Sequence, residues 1–256
     1  MHFYAWISKG SKFLNPIICI LNLKTNSLFS ILIFNELINN KENNMKSYTI
    51  AVIGGTGKSG KYLVQNLLEK GYNIKLLLRT PENFKLDDPL IEIVKGDARN
   101  YDSINTLLNN CDVVISTLGQ PVGEESIFSE ATRNITRSMI SHGIKRYIVI
   151  AGLNVDTPFD QKSIKVKQAT DWMYQNYPKT TKDRQEEYEI LTQTGLDWTL
   201  VRLPLIIQTS ERFATEANLE DCKGEGISAT DLAEFLISQI ENASYTRQSP
   251  FLYNLP

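Results

Sequence analysis

Residues 52–63 read Val-Ile-Gly-Gly-Thr-Gly-Lys-Ser-Gly-Lys-Tyr-Leu. So much glycine marks a backbone that must turn sharply and admit a phosphate. Two spellings compete. Gly57-Lys58-Ser59 looks like the end of a Walker A loop, which holds the phosphates of ATP or GTP. That loop needs a second glycine five positions before its Gly-Lys pair, and five before Gly57 stands Val52. A loop so short could not wrap a β-phosphate. Gly54, Gly57 and Gly60 fit a dinucleotide fingerprint better, spaced G-x-x-G-x-x-G. Gly54 permits the turn, Gly57 leaves room for a pyrophosphate, and Gly60 lets a helix pack on the strand. The helix N-terminus then presents free N–H groups and a positive dipole end to the phosphates, beside Thr56, Lys58 and Ser59.

The fingerprint carries weight only with a strand before it, a helix after it and a second strand about 20 residues on. All three are legible. Tyr48–Ile53 is a short apolar run. Lys58–Gly71 carries Leu63, Val64, Leu67 and Leu68 at helical spacing, and Gly71 stops it. Asn73–Leu78 is a second strand. Further strands are expected at Ile91–Lys95, Asp112–Thr117, Arg146–Ile150 and Trp198–Val201, with a last edge strand at Phe251–Tyr253. Helices are expected over Ser103–Leu108, Ser126–His142, Lys182–Thr194 and Thr230–Ile240. Near-continuous apolar strands alternating with helices predict an α/β fold with a doubly wound parallel sheet, a Rossmann fold in a single domain. Ala151–Lys182 breaks the rhythm. It is polar, contains Pro158 and Pro178, and reads as a loop beyond the C-terminal end of strand five, where such folds bind ligands.

The end of the second strand chooses the dinucleotide. An acidic residue there would bind a ribose diol and favour NAD. Arg79-Thr80 stands there instead. A guanidinium can fork onto a 2′-phosphate, which favours NADP(H), with NAD still open and an ordinary surface arginine as the plain alternative. Asp97 and Ala98 would flank the adenine. Thr117, Leu118 and Gly119 would border the nicotinamide ribose, and Pro204 completes the cofactor set.

Composition narrows the remaining classes. The chain has 256 residues, 42% hydrophobic content and net charge −2. Its basic residues are scattered, with no block longer than Lys145-Arg146, so no nucleic-acid partner is expected. Cys19, Cys111 and Cys222 are odd in number and widely spaced, and only His2 and His142 could join them. No disulfide framework and no metal site is expected, which fits a reducing, cytoplasmic setting. Residues 1–44 differ from the rest: four lysines stand against Glu36 and Glu42, and the segment ends in Asn39-Asn40-Lys41-Glu42-Asn43-Asn44. Its apolar runs, Pro16–Leu23 and Leu28–Phe34, fall short of the ~18 residues of a membrane-spanning helix. We read residues 1–44 as a non-structural extension and residues 45–256 as the NAD(P)-binding domain. A surface-binding or targeting segment is the alternative. A monomer is favoured, because no long amphipathic helix asks for a partner.

Ile53–Gly60, Leu77-Leu78-Arg79, Gly96-Asp97 and Leu196–Arg202 resemble the atypical short-chain dehydrogenase/reductases with NAD(P)-binding, NmrA-like sequences. Ser129–Ile135, His142–Arg146 and Ile227–Ala233 are similar to the flavin reductase/biliverdin reductase B branch. The resemblance implies a reductase that passes hydride from NADPH to a flavin, quinone or similar conjugated acceptor. The same family contains NADP(H) sensors that bind a partner without turnover.

No catalytic residue can be assigned. The Tyr-x-x-x-Lys pair of typical short-chain dehydrogenases is absent: Tyr174 is followed by Pro178, and Tyr177 by Thr181. Where relatives place Ser or Thr, His or Lys, and His, this chain has Ala151-Gly152, Arg184 and Leu205. Alcohol dehydrogenation and epimerase-like chemistry are disfavoured. A flat acceptor needs mainly to be held against the nicotinamide, so Leu118, Gln120, Pro121, Leu153 and Leu205 are candidates for an apolar slot. The loop carrying Trp172, Tyr174 and Tyr177 would close over it, although packing explains those aromatics at least as well.

Overall fold

The run Tyr48–Ile53 alternates its side chains between two faces, and both faces are apolar. In the computed structural model, which describes residues 48–242 and 244–255, Thr49–Ile53 forms β1 with Ile50–Ile53 buried. Ala51 and Ile53 enter one apolar layer, and Ile50 and Val52 enter the other. A strand buried on both sides must sit inside a sheet covered by helices on both faces.

The elements follow in order: α1 (Gly60–Glu69), β2 (Asn73–Leu78), β3 (Ile91–Lys95), α2 (Tyr101–Leu108), β4 (Val113–Ser116) and α3 (Phe128–His142). Then come β5 (Arg146–Gly152), α4 (Ile164–Asn176), α5 (Pro178–Thr192), β6 (Asp197–Leu203) and β7 (Leu205–Ile207). β8 (Thr215–Asn218), β9 (Gly226–Ser228), α6 (Ala229–Glu241) and β10 (Phe251–Asn254) complete the described chain. The main sheet runs β3-β2-β1-β4-β5-β6-β10-β8. It is parallel except for β8, which pairs antiparallel with β10. β7 and β9 form a separate small parallel pair. The sheet is thus the doubly wound α/β sheet expected.

Each face of the sheet has its own core. On one side, Ile104 and Leu107 of α2, Phe128, Ile135 and Met139 of α3, and Leu191 of α5 pack against Ala51, Val114, Val149 and Leu200. On the other, Leu63 and Leu67 of α1 and Leu232 and Leu236 of α6 pack against Val52, Ile115, Ile148 and Val201. All these side chains are almost fully buried, and each one larger than Ala51 contributes about 1.5–3 kcal/mol of transfer free energy.

Two expectations are corrected. Ala151–Lys182 is not a loop: β5 extends to Gly152, α4 spans Ile164–Asn176, and α5 begins at Pro178. Ser163 caps α4 by accepting from Val166 N–H. Pro178 sits in the first turn of α5, where its fixed φ suits a helix start and its missing N–H costs nothing. Phe251–Tyr253 is a strand, but not an edge. It lies between β6 and β8, and all three residues are almost fully buried. Arg202 of β6 explains the fit. Its guanidinium is fully buried, pairs with Asp160 at 2.6 Å, and lies 3.6 Å from the centre of the Phe251 ring. The expectation for residues 1–44 lies outside the described residues. Among the described residues no helix is long and apolar enough to cross a membrane.

Candidate functional site: a cleft at the strand-order reversal

The strand order reverses between β1 and β4. Their C-terminal ends therefore diverge to helices on opposite faces and leave a crevice between them. Gly54 makes the turn out of β1 with φ +83°, a conformation that side chains rarely adopt. A Cβ there would also lie 2.7 Å from the Thr117 carbonyl carbon. Thr117 holds the two strand ends together: its N–H donates to Ile53 O at 2.8 Å and its hydroxyl to Gly54 O at 3.1 Å. Gly60 allows close approach of α1, since a Cβ would sit 2.1 Å from Gly54 O. A Cβ at Gly57 would meet only Gly54 O, at 3.2 Å, so this part of the loop is an open cradle. The Ser59 side chain makes no capping hydrogen bond to α1, and the first turn carries no acidic residue. An anion arriving there displaces no side-chain cap.

The crevice is a cleft of about 720 Å³, a size that suits a dinucleotide and a small second ligand. Gly54, Thr56, Gly57, Lys58 and Ser59 line one end of it, with Gly60 buried directly behind. Arg79, Asp97 and Ala98 line one flank. Thr117, Leu118, Gly119, Gln120 and Pro204 line the other parts of the wall. The walls also include Thr80, Asn83 and Phe84, around the short 3-10 turn Pro81–Asn83, and Ile150, Leu203 and Ile206. Of these six, sequence reasoning pointed only to Thr80, beside Arg79. The two halves of that set come from loops and strand ends whose register is set by tertiary packing. Pro81, after Thr80, was the one local signal of a turn.

Three expected residues are elsewhere. Leu153 packs against Val166, Cys222, Phe251 and Tyr253, away from the cleft wall. Leu205 lies on β7 and is 72% exposed. Tyr174 sits on α4, with its hydroxyl pKa raised by burial and by the charges of Asp156 and Glu189. The segment expected to close as a loop is a helix, so Trp172 and Tyr177 instead form an edge-on pair at 5.7 Å, both about half exposed.

At the inner end of the cleft, Arg184 of α5 is almost fully buried. It donates to Ile150 O and Leu118 O, both at 2.8 Å, and to Glu187 Oε2 at 2.6 Å. Its guanidinium also lies 3.2 Å from the centre of the Phe128 ring. Arg184 therefore ties the ends of β4 and β5 to α5. Glu187 accepts further from Thr132 Oγ1 at 2.9 Å. Burial raises the Glu187 pKa, against the pull of Arg184 and Thr132. At the opposite end, Arg79 and Arg99 share one carboxylate, Glu124, at 2.8 and 3.0 Å. The hydrogen bond to Glu124 raises the Arg79 pKa, and the same bond lowers that of Glu124. Gln120 folds back so that its amide donates to Pro121 O and Glu124 O, which leaves its Oε1 buried without a partner. The buried, unpartnered acceptor and the open glycine cradle both fit a ligand with amide donors and phosphates.

Known proteins share parts of this sequence and its fold. A 30% identical stretch of 132 residues is shared with subunit 9 of the alpha subcomplex of mitochondrial NADH dehydrogenase [ubiquinone] 1 from Arabidopsis thaliana. It covers 47% of this chain and 33% of that protein. An isoflavone reductase homolog, A622-like, from Nicotiana tabacum is 33% identical over 108 residues, 39% of this chain and 33% of that protein. The matched stretches thus span about a third of the length of each of these relatives. A short-chain dehydrogenase/reductase from Veillonella parvula, solved in complex with NADP, superposes with a TM-score of 0.68. That match is at 16% identity, covering 81% of this chain and 94% of that one. A sequence model described as NAD(P)H-binding matches residues 54–243, from the turn glycine after β1 through α6. A cleft at the strand-order reversal, a glycine cradle at one end of it and a match across most of the chain lead to one assignment: this chain belongs to the NAD(P)H-binding family.

Proposed function

We propose that the chain is an NADPH-dependent reductase of a small conjugated acceptor such as a flavin or quinone, as the resemblance to the flavin reductase/biliverdin reductase B branch implies. The observation that carries this reading is the make-up of the inner wall. Leu118, Ile150, Ala151, Leu203, Pro204 and Ile206 are apolar. The one charged wall residue there, Arg184, already has Ile150 O, Leu118 O and Glu187 as partners. Such a wall suits a flat ring and offers no general acid for a carbonyl. Bound NADPH would supply the hydride, and the acceptor's proton would come from solvent. The chain's own part is to hold the ring within roughly 3–3.5 Å of the nicotinamide. Arg79 and Arg99, converging at the end of β2, support NADP over NAD. Lys58 and the α1 N-terminus would face the pyrophosphate.

The test is NADPH oxidation followed by absorbance, with FMN, a quinone and an azo dye as acceptors and Arg79→Ala as the control. Turnover with any acceptor, weakened in the control, supports both the reaction and the cofactor. Binding of NADPH without reduction of any acceptor favours the second reading, an NADP(H) sensor acting through a protein partner. The absence of an uncommitted acid on the wall speaks for that alternative. A reducing setting fits Cys111 and Cys222, both buried free thiols whose pKa values burial pushes up to about 12 and about 11.

A further inference from the structure

Two guanidinium groups do not gather around one exposed carboxylate without a structural reason. Arg79 follows β2 and Arg99 follows β3, and Glu124 belongs to the segment after β4. Arg79 Nη1 meets Glu124 Oε1 at 2.8 Å, and Arg99 Nη1 meets Oε2 at 3.0 Å. Arg99 Nη2 also donates to Glu125 O at 2.9 Å, and Arg99 N–H to Asp97 Oδ1 at 2.9 Å. The segment is folded to deliver this carboxylate, because the Gln120 amide binds Pro121 O and Glu124 O from within. Arg79, Asp97 and Gln120 all line the cleft. Glu124 therefore occupies the place where an anion on the cofactor's adenosine ribose would meet Arg79.

We propose that Glu124 competes with the 2′-phosphate of NADP(H) for Arg79 and Arg99, and so tempers the preference for NADP over NAD. This rests on the NADP reading above. A phosphate has more charge and more acceptor oxygens than a carboxylate, so it outcompetes Glu124 for the same forks. NAD(H) has no such group and leaves the clasp closed. Exposed ion pairs are individually weak, so opening two of them costs NADP(H) roughly three- to tenfold in affinity.

The experiment is fluorescence or calorimetric titration of the full chain and its Glu124→Gln variant with NADPH, NADH and adenosine 2′,5′-bisphosphate. E124Q should bind NADPH and the bisphosphate about three- to tenfold more tightly, with NADH unchanged within about twofold. Unchanged or weaker binding of NADPH by E124Q overturns the competition. Equal tightening for NADPH and NADH also overturns it, because the effect would then not act through the phosphate. An Arg79→Ala variant separates the two levels. If R79A binds NADPH as the parent does, the NADP reading itself fails. If R79A loses NADPH affinity while E124Q gains none, that reading stands and the role of Glu124 falls.

Discussion

Replacing Arg184 by methionine tests whether the inner wall depends on a buried ion pair. Methionine keeps most of the stem volume and removes the charge. Glu187 is then left buried with the hydrogen bond from the Thr132 hydroxyl, and the carbonyls of Leu118 and Ile150 lose their donor. Removing one member of a buried pair costs about 3–5 kcal/mol. For a domain of this size, that lowers Tm by roughly 10 °C. The loss must also depend on pH. Burial already raises the Glu187 pKa above its ordinary 4.5, and losing Arg184 raises it further. Above pH 4.5 the unfolded chain releases this proton while the folded chain retains it. The stability of R184M therefore falls as pH rises, by up to about 1.4 kcal/mol per unit, until the folded pKa is passed. The deficit against the parent should be small near pH 4.5 and full at neutral pH. The double variant R184M/E187Q should recover a large part of it, since no buried charge remains. Thermal melts followed by circular dichroism at pH 5 and 7.5 measure the parent and both variants. A Tm drop under about 3 °C for R184M, the same at both pH values, would refute the reasoning.

Gly60→Ala places a Cβ 2.1 Å from Gly54 O, so α1 must retreat by about 1 Å. At this first helical position the gain in helix propensity is less than the interior value of about 1 kcal/mol. It is outweighed by overpacking of about 1–3 kcal/mol, and NADPH affinity in a fluorescence titration should fall with it. Asp183 of α5 caps α3, accepting from Phe128 N–H at 2.7 Å, Ser129 N–H at 3.2 Å and the Ser126 hydroxyl. Burial works to raise its pKa, but these hydrogen bonds together hold it below the ordinary value. Its contribution is therefore present above pH 3.8 and lost as pH falls through the depressed folded pKa. Asp183→Asn should be less stable than the parent by about 1 kcal/mol near neutral pH, with half-exposure limiting the effect, and denaturant curves should converge as pH drops below 3.8. Leu205→Ala, at an exposed position off the cleft wall, should change neither Tm by more than about 2 °C nor the Kd for NADPH; a tenfold loss of binding would return Leu205 to the site.

What could be read from the sequence was what is encoded locally. β1 to β6 are apolar runs punctuated by turn residues, so each was visible alone, and the turn at Gly54 fixed where the cleft must open. α4 was not visible, because only Val166 and Thr170 of its residues are buried. Two contacts one turn apart leave no apolar stripe, and without one a cap at Ser163 and a proline at Pro178 do not mark a helix. Leu153 was misplaced for a related reason. The chain beyond β5 does not continue along the cleft, and Leu153 turns toward Phe251 and Tyr253. Arg184 was seen as a missing proton donor, but its hold on Leu118 and Ile150, 66 and 34 residues away, has no local trace. The meeting of Arg79 with Glu124, 45 residues on, is equally silent in sequence.

The position of β10 bears on the order in which this sheet can be assembled during synthesis. β6 is made some 50 residues before the strand that covers its free side, and β8 pairs in the main sheet only through β10. Until Phe251–Asn254 leaves the ribosome, the nascent chain presents an open parallel edge at β6. It also leaves the guanidinium of Arg202 without the Phe251 ring and the Ser249 carbonyl that later surround it. An uncovered strand edge is a template for pairing with another chain. The charged side chain near the C-terminal end of that edge should make it a poor one, so that a residue needed to seat β10 also guards the growing chain before that strand exists.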